Sequence, residues 1–296
     1  EQLERFCAWS KIPVAQNNLR DNFGASQPFY LAYYPENMKD RLASYSDVVD
    51  FNDLDQKFKL THKSSEKIKI GIVTSHLRPH SVFDVLIRGI LSELDRSQFY
   101  VYLYCTDAKK TDDQIMDGLQ LDSYFAISNK KQKMDLHKKI LADELDVLWY
   151  PEIGMDPLTT WLAAQRLVPV QFASWGHPIT TGLKNIDYFL SGKLIEGVNS
   201  ENHYREKLIK LPNVGCVTKF KNWISKPGEW EKICFPRNEL TFLISQNPFK
   251  FHPKNDELLV QIAKAVPHGI FLIPTSRNYP GSVERVLERL QDKFNQ

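Results

Sequence analysis

The sequence predicts an α/β protein built on mostly parallel, Rossmann-like sheets with helices on both faces. Three observations carry that expectation. Short apolar runs recur along the chain. Segments of helical spacing separate them by about 10 to 15 residues, the rhythm of βαβ units. The most irregular loops fall directly after apolar runs, where sheets of this kind hold their ligands. With 296 residues, 42% hydrophobic and 25% charged, the chain has material for one large or two medium domains.

Residues 1–65 read as a helical lead-in, with Pro35–Tyr45 helical and Tyr30, Tyr33 and Tyr34 expected in an aromatic core cluster. The pattern then changes. Lys67–Thr74 reads as a buried strand and Val82–Leu94 as a helix. Phe99–Tyr104 and Asp122–Ile127 are the next strands, followed by a helix over Lys133–Ala142 and a fourth strand over Asp146–Tyr150. Proline opens a helix over Pro157–Arg166, and Val168–Ala173 is the fifth strand. These elements make one domain over 66–215. A linker over 216–238 carries Pro227 and Gly228, after which the rhythm restarts. Leu240–Ser245 and Gly269–Ile273 read as strands, Asn255–Ala265 and Val283–Phe294 as helices. Two strands and two helices over 239–296 are expected to be the start of a second Rossmann-like domain, incomplete in this chain. The opening residue, Glu1 rather than Met, fits a processed product or an excerpt of something longer.

A formal net charge of +2 gives no basic field for nucleic acid or a membrane surface. No stretch reaches the roughly 18 apolar residues of a membrane span. Cys7, Cys105, Cys216 and Cys234 lack CxxC spacing and read as reduced thiols, which points to a cytoplasmic protein.

Three loops should converge on one rim at the strand ends: Ser75–His80, Pro151–Asp156 and Trp175–Pro178. His80 opens a helix, where backbone N–H groups favour anions. Its imidazole either exchanges a proton or donates to an oxyanion, or else bonds its own loop. His177 sits between Gly176 and Pro178, so the backbone sets its ring direction; that suits a ligand-facing group and a turn buttress equally. Thr180, Thr181 and Gly182 offer either a polar binding shelf or a self-satisfied turn. Lys250, in the segment Gln246–Pro253, is placed to put a point charge on a diphosphate, with Gln246 or Asn247 reading a base or sugar through its amide. The bland reading is a solvated lysine. GxGxxG, Walker A, HExxH, GxSxG and zinc-type spacings are all missing. Asp143 and Asp146 flank the fourth strand and read as turn or edge residues.

The run Gln171–Gly182 (QFASWGHPITTG), then Ile186–Ser191 (IDYFLS), His203–Leu208 (HYREKL) and Leu211–Asn213 (LPN), resembles the catalytic region of the O-linked N-acetylglucosamine transferase family, with its bacterial and Spindly-like members. Ser75–His80 is similar to that family's Ser-x-Asp-Phe-x-x-His loop, and Gln246–Pro253 to its Gln-Asn-x-Phe-Lys-x-His-Pro segment. The likeness runs in order from about residue 66 to residue 275, and residues 1–65 carry no tetratricopeptide signature. It implies a GT-B fold, two Rossmann-like domains facing across a cleft, with the donor held mainly by the C-terminal one. By the same resemblance His80 matches the active-site histidine, Lys250 the lysine that neutralises the diphosphate, and Asn247 the amide residue near the nucleotide. His177, Thr180, Thr181, Gly182 and Gln246 stand beside Asn247 as substrate-binding candidates.

The implied chemistry is inverting transfer from a UDP- or GDP-sugar, with UDP-N-acetylglucosamine the expected donor, to a protein Ser or Thr hydroxyl; one branch modifies Asn. No metal cofactor is implied, so a cationic side chain must meet the leaving group. Whether His80, Asp143 or a phosphate oxygen takes the proton is open. The alternative function is a non-catalytic peptide- or nucleotide-binding fragment; a sugar-nucleotide epimerase would want more carboxylates at the rim. Three departures stand out. His76 replaces the family's Asp, Pro151–Asp156 replaces a Gly-His-Thr loop, and the later Gly-His-Thr-Thr-Gly segment is not within the sequence.

Overall fold

The computed structural model describes residues 15–25, 29–49, 51, 67–218, 240–274 and 281–295. Chain contacts divide it into two compact units, one of residues 1–32 and 36–220 and one of residues 33–35 and 221–296. Most of the expected linker, and Cys7 and Cys234, lie outside the described residues.

The first unit is built on seven parallel strands: β1 (Ile68–Thr74), β2 (Phe99–Cys105), β3 (Ser123–Ala126), β4 (Val147–Tyr150), β5 (Val170–Ser174), β6 (Tyr188–Gly192) and β7 (Lys207–Leu211). Their spatial order is β3-β2-β1-β4-β5-β6-β7. The chain winds outward from β1 in one direction, then returns to the other side of β1 to lay down β4, with Ile70 opposite Val147. The order therefore reverses between β1 and β4, and the crevice beyond their carboxyl ends is where such sheets bind ligands.

Period-two alternation along the strands gives the sheet two apolar faces. Val73, Tyr104, Leu148 and Tyr150 point into one core. Ile72, Leu103, Cys105 and Trp149 point into the other. The first core is covered by α1 (Ala15–Asn22), α2 (Lys39–Ser46), α5 (Lys133–Ala142) and α6 (Pro157–Ala163), through Leu19, Tyr45, Leu136, Ile140 and Leu162. The second is covered by α3 (Arg88–Glu93), the wide π-helical turn Val82–Ile87 before it, and α4 (Asp113–Asp117). Fully burying each large side chain stabilises the fold by about 1.5–3 kcal/mol. The described lead-in helices supply part of this unit's core, because their apolar faces cover sheet that would otherwise be wet.

Local signals account for the helix starts. Asp156 caps α6 by accepting from the Thr159 N–H at 2.8 Å, with Pro157 in the first turn. The expected helix over Val82–Leu94 opens instead as the π-helical turn, a widening often found beside functional sites. Among the described residues no helix is long and apolar enough to cross a membrane.

The second unit pairs β8 (Thr241–Leu243) in parallel with β9 (Ile270–Leu272), with α7 (Asp256–Ala265) and α8 (Ser282–Phe294). Arg289 of α8 reaches the buried Asp256 of α7 at 2.5 Å and 2.9 Å, joining the two helices. Tyr34 is 49% exposed, not in a core cluster. Its ring meets the His252 ring edge-on at 5.2 Å.

Candidate active site

The three loops expected to share a rim interlock. The Gly176 N–H donates to the Pro151 carbonyl at 3.1 Å, and the Ser174 hydroxyl donates to the same oxygen at 3.2 Å. Gly154 has φ +95°, and a Cβ there would stand 3.0 Å from His177 Nδ1. Only glycine gives both the left-handed backbone and the room for that ring. The loop after β4 is therefore fastened to the loop after β5, and His177, 7% exposed, is packed between them.

The loop after β1 is tied to the same place by one carboxylate. Glu152 is fully buried at the switch point. Its Oε1 accepts from the Thr74 hydroxyl at 2.8 Å and the Ser75 N–H at 3.1 Å, and lies 2.9 Å from His76 Nδ1. Its Oε2 is buried with no hydrogen-bond partner among the described residues. A buried carboxylate oxygen left without a donor is costly, which makes this a place where hydrogen-bonding capacity is held in reserve. Glu152 was not singled out in the sequence; a carboxylate directly behind a buried strand was the only signal, and its burial is a tertiary fact.

His80 stands next to this cluster, its ring centroid 4.2 Å from that of His76. Its Nδ1 accepts from the Val82 N–H at 3.2 Å, and its carbonyl accepts from the Asp84 N–H at 2.8 Å, which ties the ring's residue to the start of the helical segment. Desolvation, helped by His76 and Arg78 and opposed by Asp84, lowers its pKa from 6.5 to about 4. The ring is neutral at pH 7. With Nδ1 accepting, its proton sits on Nε2, so His80 presents a hydrogen-bond donor.

Thr180 and Thr181 have inward partners. The Thr180 hydroxyl donates to Glu206 Oε2 at 2.6 Å and accepts from the N–H groups of Gly182 at 3.2 Å and Arg205 at 3.1 Å. Thr181 gives Glu206 Oε1 its N–H at 2.8 Å and also its hydroxyl in a short bond. Gly182, φ +68°, presses on the Leu42 backbone. This segment binds its own fold. Asp143 lies before β4, on the amino side of the sheet, held by the Tyr104 hydroxyl at 2.6 Å and Lys139 at 2.5 Å. That position is the opposite end of the strands from His80.

In the second unit, Gln246 is exposed and follows β8. Asn247 Oδ1 is buried with no hydrogen-bond partner among the described residues, and the Asn247 carbonyl accepts from the Lys250 N–H at 2.9 Å. Lys250 Nζ lies 5.3 Å from the centroid of the Tyr33 ring. Among the described residues no group of three or more His, Cys, Asp or Glu is gathered as for a metal ion.

Comparison with known proteins points the same way. The family model described as Glycosyl transferase family 41 matches residues 47–226. A UDP-glucose:protein N-beta-glucosyltransferase of Actinobacillus pleuropneumoniae is 25% identical over 153 residues, covering 51% of this chain and 24% of that protein. A probable UDP-N-acetylglucosamine peptide N-acetylglucosaminyltransferase of Solanum lycopersicum, SPINDLY, is 29% identical over 218 residues, 69% of this chain and 22% of that one. The chain spans about a quarter of the length of these curated relatives. A solved structure of a mutant O-GlcNAc transferase from Thermobaculum terrenum superposes with TM-score 0.68 at 19% identity, covering 99% of this chain and 56% of that chain. At that identity the likeness shows a shared fold.

Proposed function

This chain belongs to glycosyl transferase family 41, and on that premise we propose that it serves an inverting transfer of a sugar, N-acetylglucosamine first among candidates, from a nucleoside diphosphate sugar to a protein Ser or Thr hydroxyl. The observation that carries the reading is the rim at the β1/β4 switch point, where a buried carboxylate with an unpartnered oxygen and three histidines are gathered inside the matched segment. In this reading Lys250 neutralises the diphosphate as the bond to the anomeric carbon breaks, a charge that develops most in the transition state. Asn247 and Gln246 hold the nucleotide, and His80 donates its Nε2–H to a phosphate or sugar oxygen. His177 braces the loop after β4, while Thr180, Thr181 and Gly182 hold their own loop through Glu206 and Leu42 rather than by touching substrate. No metal is required in this scheme, and the cysteines, read as reduced thiols, support a cytoplasmic setting for it.

The names of the curated relatives favour UDP-linked glucose and N-acetylglucosamine as donors and proteins as acceptors. The test is turnover of UDP-N-acetylglucosamine, UDP-glucose and a GDP-sugar by the intact protein, with mass spectrometry of a peptide library containing Ser, Thr and Asn. Lys250→Ala should raise donor KM and lower kcat together, about 100-fold in kcat/KM. Nucleotides that raise Tm without any sugar transfer would instead establish the binding-only alternative.

A further inference from the structure

The two neighbouring histidines of the first loop are held in opposite tautomers, and this rests on the transferase reading above only for its chemical meaning. Glu152 Oε1 already accepts from the Thr74 hydroxyl and the Ser75 N–H. The Thr74 hydroxyl oxygen accepts from the His76 N–H at 3.0 Å, so its own hydrogen is directed to Glu152. An oxygen receiving two donors carries no hydrogen of its own and can only accept. A ring nitrogen 2.9 Å away must then carry a proton of its own, since two lone pairs do not approach so closely. The Ser75 hydroxyl, also 2.9 Å from Nδ1, shares that hydrogen. With the proton on Nδ1, His76 Nε2 keeps its lone pair and makes no hydrogen bond among the described residues. His80 is reversed, with Nδ1 accepting from Val82 and the proton on Nε2.

We propose that His76, oriented by Glu152, is the general base that takes the proton of the acceptor hydroxyl, while His80 acts only as a donor. The acceptor O–H bond breaks toward His76 Nε2, and the oxygen's electron pair forms the new bond to the anomeric carbon. The bond from that carbon to the diphosphate breaks with its electrons on the leaving oxygen. The resulting imidazolium lies against the Glu152 carboxylate, which stabilises it as the carboxylate of a Ser-His-Asp triad stabilises its histidine. Glu152 is here a positioning residue. His76 stands where the related proteins described by the resemblance carry Asp, so a base function at this point in the loop would be a feature of this chain's own sequence. Beside the pair, the His80 ring stands 4.2 Å from that of His76, and His80 itself feels Arg78 from the same loop and Asp84 on the π-helical turn.

The tautomers are read on the unsubstituted protein by long-range proton–nitrogen NMR of the histidine rings, assigned through His76→Gln and His80→Gln. Protonated Nδ1 at His76 and protonated Nε2 at His80 are expected; protonated Nε2 at His76 overturns the proposal even if no variant folds. On the intact protein, His76→Gly should lower kcat roughly 100-fold or more with donor KM little changed, and added imidazole should restore part of the rate. Glu152→Gln should lower kcat with donor KM little changed, whereas Glu152→Asp should recover part of the rate. Full kcat in folded His76→Gly, with transfer by the unsubstituted protein intact, removes the base assignment alone. Absence of transfer by the unsubstituted protein removes the transferase reading and the base role together.

Discussion

Glu206 and Glu152 are both buried glutamates on loops at the ends of the same sheet, and the fold treats them in opposite ways. Both oxygens of Glu206 are engaged, by the Thr180 hydroxyl and by the backbone and side chain of Thr181. Glu152 concentrates its bonds on Oε1 and leaves Oε2 without a partner. A fully satisfied network contributes rigidity and a unique loop path. A partly satisfied one costs stability and persists where chemistry needs the remaining capacity. The difference teaches that a buried polar network in a loop is not thereby part of the chemistry; what matters is whether its polar atoms are already answered from within.

The sharpest way to break the comparison is at the closed region. Gly182→Ala puts a Cβ 2.5 Å from the Leu42 carbonyl carbon at a φ of +68°. A loss of about 3 kcal/mol or more is expected, read from the urea midpoint. Glu206→Gln comes next. The Thr180 oxygen already accepts two N–H groups, so an amide NH₂ placed at Oε2 meets an oxygen with no acceptor capacity left. About 2 kcal/mol should be lost.

Acid should act on the open region in particular. The folded state holds His80 near pKa 4, against 6.5 for an ordinary histidine. Between these values the unfolded chain binds more protons, so His80's contribution is fully present above 6.5 and is lost as pH falls toward 4. His80→Gln should flatten that slope in urea titrations across the window, and an unchanged slope would show that another group carries it. The smallest effect on stability is expected for Glu152→Gln. Its amide nitrogen can occupy the unpartnered Oε2 position and removes a buried charge, so the urea midpoint should move by less than about 1 kcal/mol in either direction. A loss as large as that of Glu206→Gln would erase the distinction between the two glutamates.

The apolar runs placed β1 to β5 to within two or three residues at each end, since strands buried on both faces read as near-continuous hydrophobic segments. They also placed the three loops on one rim, because a parallel sheet sends every strand's carboxyl end to the same edge. His80 and His177 were legible as candidates through the helix start and the Gly-His-Pro corner. The Thr180–Glu206 network was not, because its partners are brought together by β6 and β7 pairing rather than by spacing along the chain. Which sheet face α1 and α2 cover was hidden for the same reason: helical periodicity shows that a face is apolar and leaves unspecified which surface it covers.

By itself, then, the sequence determined the α/β class, the order of the first five strands and the identity of the rim segments, since each follows from local periodicity and turn chemistry, whereas β6 and β7 were not read from it. Tertiary structure alone decided which polar atoms meet. It closed Glu206 on two threonines, left one oxygen of Glu152 unanswered, and gave His76 and His80 their different protons. Hydrogen bonding across loops distant in sequence depends on distances of a few tenths of an ångström, and no residue pattern encodes those until the sheet has been assembled.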